Sequence, residues 1–313
     1  MHVVVSLPES EASPWMALFA DALPEATLDR HEPDRAPEAA ARAADFVVAA
    51  CPSRTLFAEQ PAPRAVFTVS AGVAHVLRIE NFPRSVPLVR VEDAGMGAQM
   101  IRYVLAAAMQ FVLRMPTYRR QQRAAAWEQH PPRSPAQITA GVMGLGVIGG
   151  AVARALVAQG FVVRGHARTE KSIAGVRCYA GAAEFDAFLD GLDIVCGVLP
   201  HTPETAGLLN RATMSRLADG AHVVNVGRGS LLVDEDLVAL LESGKLSGAT
   251  LDVFREEPLP AGHPFWSRPE ITVTPHVSGL TIPEETVAQV AAKIRMLERG
   301  LPVTGVVDVA RGY

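Results

Sequence analysis

The sequence predicts an α/β protein built on parallel sheets, and three observations carry that prediction. Short apolar runs alternate with helix-periodic segments along most of the chain. A glycine-rich turn joins one of these runs to a helix. Three late runs end in polar residues. The 313 residues are 49% hydrophobic and 20% charged, enough for two domains with sizeable cores and too apolar for disorder. A net charge of -4 argues against a nucleic-acid partner, which leaves a basic footprint.

The elements follow in order. "HVVVSL" (2–7), "DFVVAA" (45–50) and "AVFTVSA" (65–71) have the length and β-branched content of buried parallel strands. Between the first two, "SPWMALFADAL" predicts a helix with Ser13 as N-cap and Pro14 at its first position. A longer helix is expected from about Ala98 to Arg114. The next stretch, "TYRRQQRAAAWEQHPPRSPAQ", starts helical and is then broken by prolines. It reads equally as an arm packing on a second subunit or as a surface helix and linker. Arg119, Arg120 and Arg123 within it read as a solvated face.

A second series begins at Ile138. "ITAGVMG", "FVVRGHA", "DIVCGVLP", "AHVVNVG", "SGATLDVF" and "ITVTPHV" are strand candidates, pointing to a doubly wound parallel sheet. "EDLVALLESGK" predicts a helix with Asp234 as N-cap. A last helix, about Pro283 to Arg299, could return to the first unit and make it discontinuous. The expected domains are 1–95 with 284–313, and 96–283 with an arm near 115–135.

Cys51, Cys178 and Cys196 form neither a disulfide framework nor a metal-ligand spacing, which suits a reducing compartment and a protein without a metal. Cys196 reads as a core thiol. The N-terminus lacks a signal-peptide pattern, and Arg102 and Arg114 bracket the longest apolar candidate. The expectation is a soluble, cytoplasmic protein with no membrane partner.

"GVMGLGVIGG" places Gly144, Gly146 and Gly149 in G-x-G-x-x-G spacing between an apolar strand and a helix. Gly144 would allow the tight turn, Gly146 the approach of a pyrophosphate, and Gly149 close helix–strand packing. With Val147 and Ile148 at the helix start, the motif predicts a dinucleotide site at a positive helix end. The next strand ends in "VVRGHARTEK". Ala167 stands where an NAD enzyme usually has an acid for the ribose 2′-hydroxyl. Arg168 and Thr169, with Lys171 nearby, would instead hold a 2′-phosphate through charge-assisted hydrogen bonds, while Glu170 is expected to face solvent. A basic surface turn is the alternative. NADP (as NADPH) is therefore the expected cofactor, with NAD as the second choice.

"VVNVGRGS", "LDVFREEPLP" and "TVTPHVSG" put Arg228, Glu257 and His276 at strand ends, where open α/β sheets bind ligands. The trio suits reduction of a 2-keto acid. A histidine can protonate the carbonyl oxygen, a carboxylate can orient it and stabilise its cation, and an arginine can clamp the substrate carboxylate.

At these residues the chain resembles the D-isomer-specific 2-hydroxyacid dehydrogenases over nearly its whole length. "VNVGRGSLLVDEDLVALLESGKLSGATLDVFREEPLP" is similar to that family's signature. "PFW" (264–266), "TPHVSGLT" and "VVDVARGY" look more narrowly like its glyoxylate/hydroxypyruvate reductase branch. The resemblance implies two Rossmann-like domains with a cleft holding the active site, a homodimer formed through the cofactor domain, and a small 2-keto acid as substrate. In "VSAGVAH" it implies that Ala71 and Gly72 bind the substrate carboxylate. In "VLPHTPET" it implies that Leu199, Pro200 and Thr205 line the cofactor, with His201 a loop residue. Val226 joins the cofactor set, and Asp252 would face the nicotinamide amide. Trp127 falls where the family has a tryptophan in the dimer arm. Two residues depart from the family pattern near the domain junction: Ala74 replaces an aspartate and Arg102 a glutamate. Cys51-Pro52 implies room for substrate side chains larger than glyoxylate's hydrogen.

Two other functions fit the same fold: an NAD-dependent dehydrogenase working toward oxidation, and a nucleotide-sensing co-regulator. A short-chain dehydrogenase does not fit, because Tyr103, Tyr118, Tyr179 and Tyr313 all lack a lysine four residues on.

Overall fold

The computed structural model describes residues 1–33, 41–70 and 72–309. It divides into two units, Met1–Gly95 with Thr281–Tyr313, and Met96–Leu280.

The first unit runs β1 (His2–Ser6), α1 (Glu9–Ala22), β2 (Thr27–His31), β3 (Phe46–Ala49), α2 (Arg54–Glu59), β4 (Ala65–Thr68), α3 (Ala74–Leu77) and β5 (Leu88–Arg90). Its five parallel strands are ordered β2-β1-β3-β4-β5. β1, β3 and β4 are buried throughout, as continuous apolar runs in a parallel sheet should be. β2, "TLDRH", alternates exposed and half-buried positions at the sheet edge, so its sequence lacks the apolar signal. The helix before it starts five residues earlier than expected, at Glu9 rather than at Pro14. Pro8 takes the N-cap position, and Glu9 and Glu11 favour the positive helix end. Pro14 lies inside the helix on its exposed face, so the carbonyl it leaves unbonded meets water. The C-terminal helix α10 (Pro283–Glu298) packs on α1. Its buried Lys293 donates to the Arg90 carbonyl at 3.0 Å and to Glu92 at 3.2 Å.

The second unit runs α4 (Met96–Val112), α5 (Met115–Arg123), β6 (Thr139–Met143), α6 (Val147–Ala158), β7 (Val162–Ala167), β8 (Val176–Ala180), α7 (Phe185–Leu189), β9 (Ile194–Gly197), α8 (Arg211–Met214), β10 (Ala221–Asn225), α9 (Asp234–Glu242), β11 (Leu246–Leu251) and β12 (Ile271–Val273). Seven parallel strands are ordered β12-β11-β10-β9-β6-β7-β8. All six expected strands form. β8 is the addition, a half-exposed edge strand.

Strand alternation splits the core into two layers. On β9, Val195 joins one cluster with Phe188, Leu231 and Phe265, while Ile194 and Cys196 join the other with Val142, Leu156 and Phe111. Burial pushes the Cys196 thiol up to about 12, so it is an inert core group. None of the three cysteines forms a disulfide among the described residues.

Asp234 is not the N-cap of α9. Val233 holds that position with extended backbone, and Asp234 opens the helix with Glu235 and Asp236. Three acids in the first turn act on the helix dipole, and Asp234 also faces His263 at 3.5 Å. α4 and α5 meet at a 61° bend at Arg114, which has φ 54°. The following segment folds back on them: the Arg114 guanidinium donates to the Pro131 carbonyl at 3.2 Å, and Arg133 lies 4.9 Å over the Phe111 ring. Trp127 on this segment is 96% exposed. Among the described residues no single helix is long and apolar enough to cross a membrane.

Candidate active site

The glycine-rich turn connects β6 to α6. Gly144 has φ 98°, which favours glycine, and a Cβ there would stand 2.8 Å from the Val198 carbonyl oxygen. A Cβ on Gly149 would stand 1.8 Å from the Gly144 oxygen, so only glycine lets this helix sit so close to the turn. Gly146 is different: a Cβ there meets nothing within 4 Å. The N-terminus of α6 therefore opens onto space, with Val147 exposed and Ile148 packed on the core. Backbone amides at a positive helix end, bare of side chains, fit a dinucleotide pyrophosphate.

Ala167 ends β7 buried. Arg168, Thr169, Glu170 and Lys171 follow it, all exposed. No acid occupies the ribose position, so the residues present fit a 2′-phosphate.

The loop after β9 holds Leu199, Pro200 and Thr205. Its Thr205 hydroxyl donates to the Pro200 carbonyl at 2.7 Å and accepts the Thr202 amide at 2.8 Å. That hydroxyl staples its own loop, which shapes the surface that Leu199 and Pro200 present. Val226 is buried in the core, and its amide donates to the Gly197 carbonyl at 3.1 Å. His201 bonds Ser230 at 2.7 Å, tying the loop after β9 to the loop after β10.

Arg228 sits between two glycines for a steric reason. A Cβ on Gly227 would stand 2.6 Å from the Leu199 oxygen, and one on Gly229 would stand 1.9 Å from the Phe254 carbonyl carbon. The loop is wedged between the turns after β9 and β11. Buried Asn225 holds it, donating to the Arg228 carbonyl at 3.0 Å and accepting the Gly227 amide at 3.2 Å. Burial lowers the pKa of the Arg228 guanidinium, and the negative charge of Glu257 opposes that.

Glu257 and His276 meet. His276 Nδ1 lies 2.7 Å from Glu257 Oε2, and Glu257 Oε1 accepts the Phe254 amide at 2.8 Å. With Nδ1 donating to the carboxylate, Nε2 is left for a substrate. His276 has φ 55°, a conformation that costs a side chain on the order of 1 kcal/mol. Its amide donates to the Asp252 carbonyl at 2.9 Å, a bond that holds the conformation.

Asp252 lies just past the end of β11. It is fully buried, and its Oδ1 accepts the Val277 amide and the Thr274 hydroxyl at 2.8 and 2.6 Å. Oδ2 accepts the Ser278 amide at 2.8 Å. The carboxylate thereby holds the turn that carries His276. Sequence reasoning missed Asn225, which holds its own turn, and Tyr103, Thr274 and Ser278, whose roles depend on which strand ends become neighbours. In the first unit, the Gly72 carbonyl accepts the Ser70 hydroxyl at 2.7 Å. Ala71 lies outside the described residues, as do the last four of "VVDVARGY".

Residues 105–278 match the model of the NAD-binding domain of D-isomer specific 2-hydroxyacid dehydrogenases. The chain belongs to the D-isomer specific 2-hydroxyacid dehydrogenase family, and its two parallel sheets are Rossmann-like. Among curated relatives it is 39% identical to glyoxylate/hydroxypyruvate reductase A of Yersinia enterocolitica and 40% identical to that of Serratia proteamaculans, each over 100% of both chains. Among solved structures it is similar to an NADPH-dependent glyoxylate/hydroxypyruvate reductase from Sinorhizobium meliloti in complex with NADP and sulfate, at TM-score 0.92 and 34% identity over 100% of both chains. It is also similar to a D-isomer specific 2-hydroxyacid dehydrogenase from Xanthobacter autotrophicus Py2 in complex with NADPH and MES, at TM-score 0.90 and 35% identity over 99% of each chain.

Proposed function

We propose that this chain is an NADPH-preferring reductase of small 2-keto acids such as glyoxylate or hydroxypyruvate, yielding D-2-hydroxy acids. The observation that carries the reading is the His276–Glu257 pair at 2.7 Å, on the same sheet as Arg228. Full-length similarity to named glyoxylate/hydroxypyruvate reductases supports it.

NADPH, when bound, supplies the hydride. Gly144, Gly146 and Gly149 leave room for its pyrophosphate, and Arg168, Thr169 and Lys171 would hold the 2′-phosphate. Arg228 binds the substrate carboxylate and polarises the carbonyl. His276 gives its Nε2 proton to the carbonyl oxygen as negative charge builds there. Glu257 holds the imidazole in the tautomer and orientation that this requires. The set is complete for turnover, which weighs against the sensing co-regulator.

The exposed Trp127 on the segment after α5 supports a homodimer through that arm. The test is a kcat/KM panel of 2-keto acids with NADPH and NADH, followed at 340 nm. Turnover faster with NADPH on small 2-keto acids is expected. Tight cofactor binding with no turnover on any of them overturns the reading in favour of a sensor.

A further inference from the structure

We propose that Tyr103, on α4, is a positioning residue for His276 that acts through Thr274 and Asp252. The proposal rests on His276 as proton donor and adds to it a residue from a different element.

The Tyr103 hydroxyl lies 2.6 Å from Thr274 Oγ1, and Thr274 Oγ1 lies 2.6 Å from Asp252 Oδ1. A threonine hydroxyl has one proton. That proton goes to Asp252 Oδ1, so Tyr103 must be the donor to Thr274. The chain of donors is thus directional, Tyr103 to Thr274 to Asp252, and each bond polarises the next. Burial raises the tyrosine pKa, with the Thr274 bond opposing, which keeps the phenol a donor.

Asp252 passes the constraint to His276 from both sides. It accepts from Thr274, two residues before the histidine, and from the Val277 and Ser278 amides just after it. The Asp252 carbonyl also accepts the His276 amide at 2.9 Å. The turn between Thr274 and Ser278 is therefore clasped around one buried carboxylate, with His276 at its crest in the left-handed conformation. Without the tyrosine, Thr274 loses its fixed rotamer, and the Oδ1 contact that aims the turn loosens. The histidine remains present but spends less time aligned with the carbonyl oxygen. That lowers the rate of the chemical step without removing any contact to substrate or cofactor.

The experiment compares Tyr103→Phe, Thr274→Val, Thr274→Ser and Tyr103→Phe/Thr274→Val as full chains. Tyr103→Phe is expected to lower kcat about five- to tenfold, with KM for NADPH and keto acid within about twofold and the thermal midpoint nearly unchanged. Thr274→Ser keeps the hydroxyl and should retain near-normal kcat. The double variant should be no slower than Thr274→Val alone, because both remove one pathway. Normal kcat in Tyr103→Phe, or additive losses in the double variant, overturns the proposal. A fall in thermal midpoint with kcat intact also overturns it, since that marks a purely structural tie. His276→Ala is run beside them: if it keeps turnover, the reading of His276 itself fails, whereas its inactivity with a normal Tyr103→Phe defeats the relay alone.

Discussion

Glu257 divides its two oxygens, giving Oε2 to His276 Nδ1 at 2.7 Å and Oε1 to the Phe254 amide at 2.8 Å. One carboxylate thereby fixes its own loop and the histidine together. Glu257→Gln keeps the shape and removes the charge that stabilises the imidazolium. It should lower kcat about 10- to 100-fold with the keto-acid KM little changed, and His276→Ala should cost about 10²- to 10⁴-fold. Steady-state kinetics with glyoxylate checks both, and unaltered kcat in either variant removes the role assigned to it.

Arg168 follows buried Ala167 at the end of β7, and alanine stands where an acid would hold the ribose 2′-hydroxyl. Arg168→Ala should raise KM for NADPH about tenfold or more, and for NADH about twofold at most, because a charge-assisted bond to phosphate exists only with NADPH. Equal effects on both nucleotides contradict the assignment.

His222 is buried beside the Phe111 ring, and burial lowers its pKa from 6.5 to about 4. The unfolded chain therefore binds this proton at higher pH than the folded one. Its contribution to stability is complete above pH 6.5 and is lost as pH falls from 6.5 toward 4. At about 1.4 kcal/mol per pH unit, the loss amounts to about 3 kcal/mol. Urea unfolding across that range should show the slope, and His222→Gln should flatten it. A slope that survives the substitution assigns the effect to other groups.

Gly229 and Gly146 should respond in opposite ways to alanine. A Cβ on Gly229 would run into Phe254, whereas one on Gly146 meets nothing within 4 Å. Gly229→Ala should destabilise by about 1–3 kcal/mol and weaken catalysis through Arg228. Gly146→Ala should keep the thermal midpoint and raise KM for NADPH. A Gly146→Ala enzyme with unchanged nucleotide KM would mean that the open helix end receives no phosphate.

Trp127 exposes nearly its whole side chain on the segment that folds back over α4 and α5. Sedimentation of the wild-type chain should give a dimer, and Trp127→Ala should shift the equilibrium toward monomer at equal concentration. A wild-type monomer at all concentrations disproves the arm.

The apolar runs made most of the strands legible, because a strand buried on both faces has little choice of residue. β2 and β8 escaped notice as edge strands, whose half-exposed sequences carry no continuous apolar signal. The caps misread at Ser13 and Asp234 show why residue type alone is weak there: serine also sits within a helix and aspartate in its first turn, and only the backbone decides. Arg228, Glu257 and His276 stood out because polar groups at the ends of apolar strands have few structural uses. Asn225 and Tyr103 did not, since the first acts on its own turn and the second on a strand end 171 residues away. Asp252 was noticed, but the partners of a buried carboxylate emerge only when the loops around it are assembled.

The strand order puts β7, with Arg168 at its end, on one side of β6, and β10, β11 and β12, which lead to Arg228, Glu257 and His276, on the other. In the proposed roles, coenzyme choice and carbonyl chemistry are thus housed in opposite wings of one sheet. A lineage, or an engineer, can rewrite residues 167–171 to trade one nicotinamide currency for the other while the acid–base wing is inherited intact.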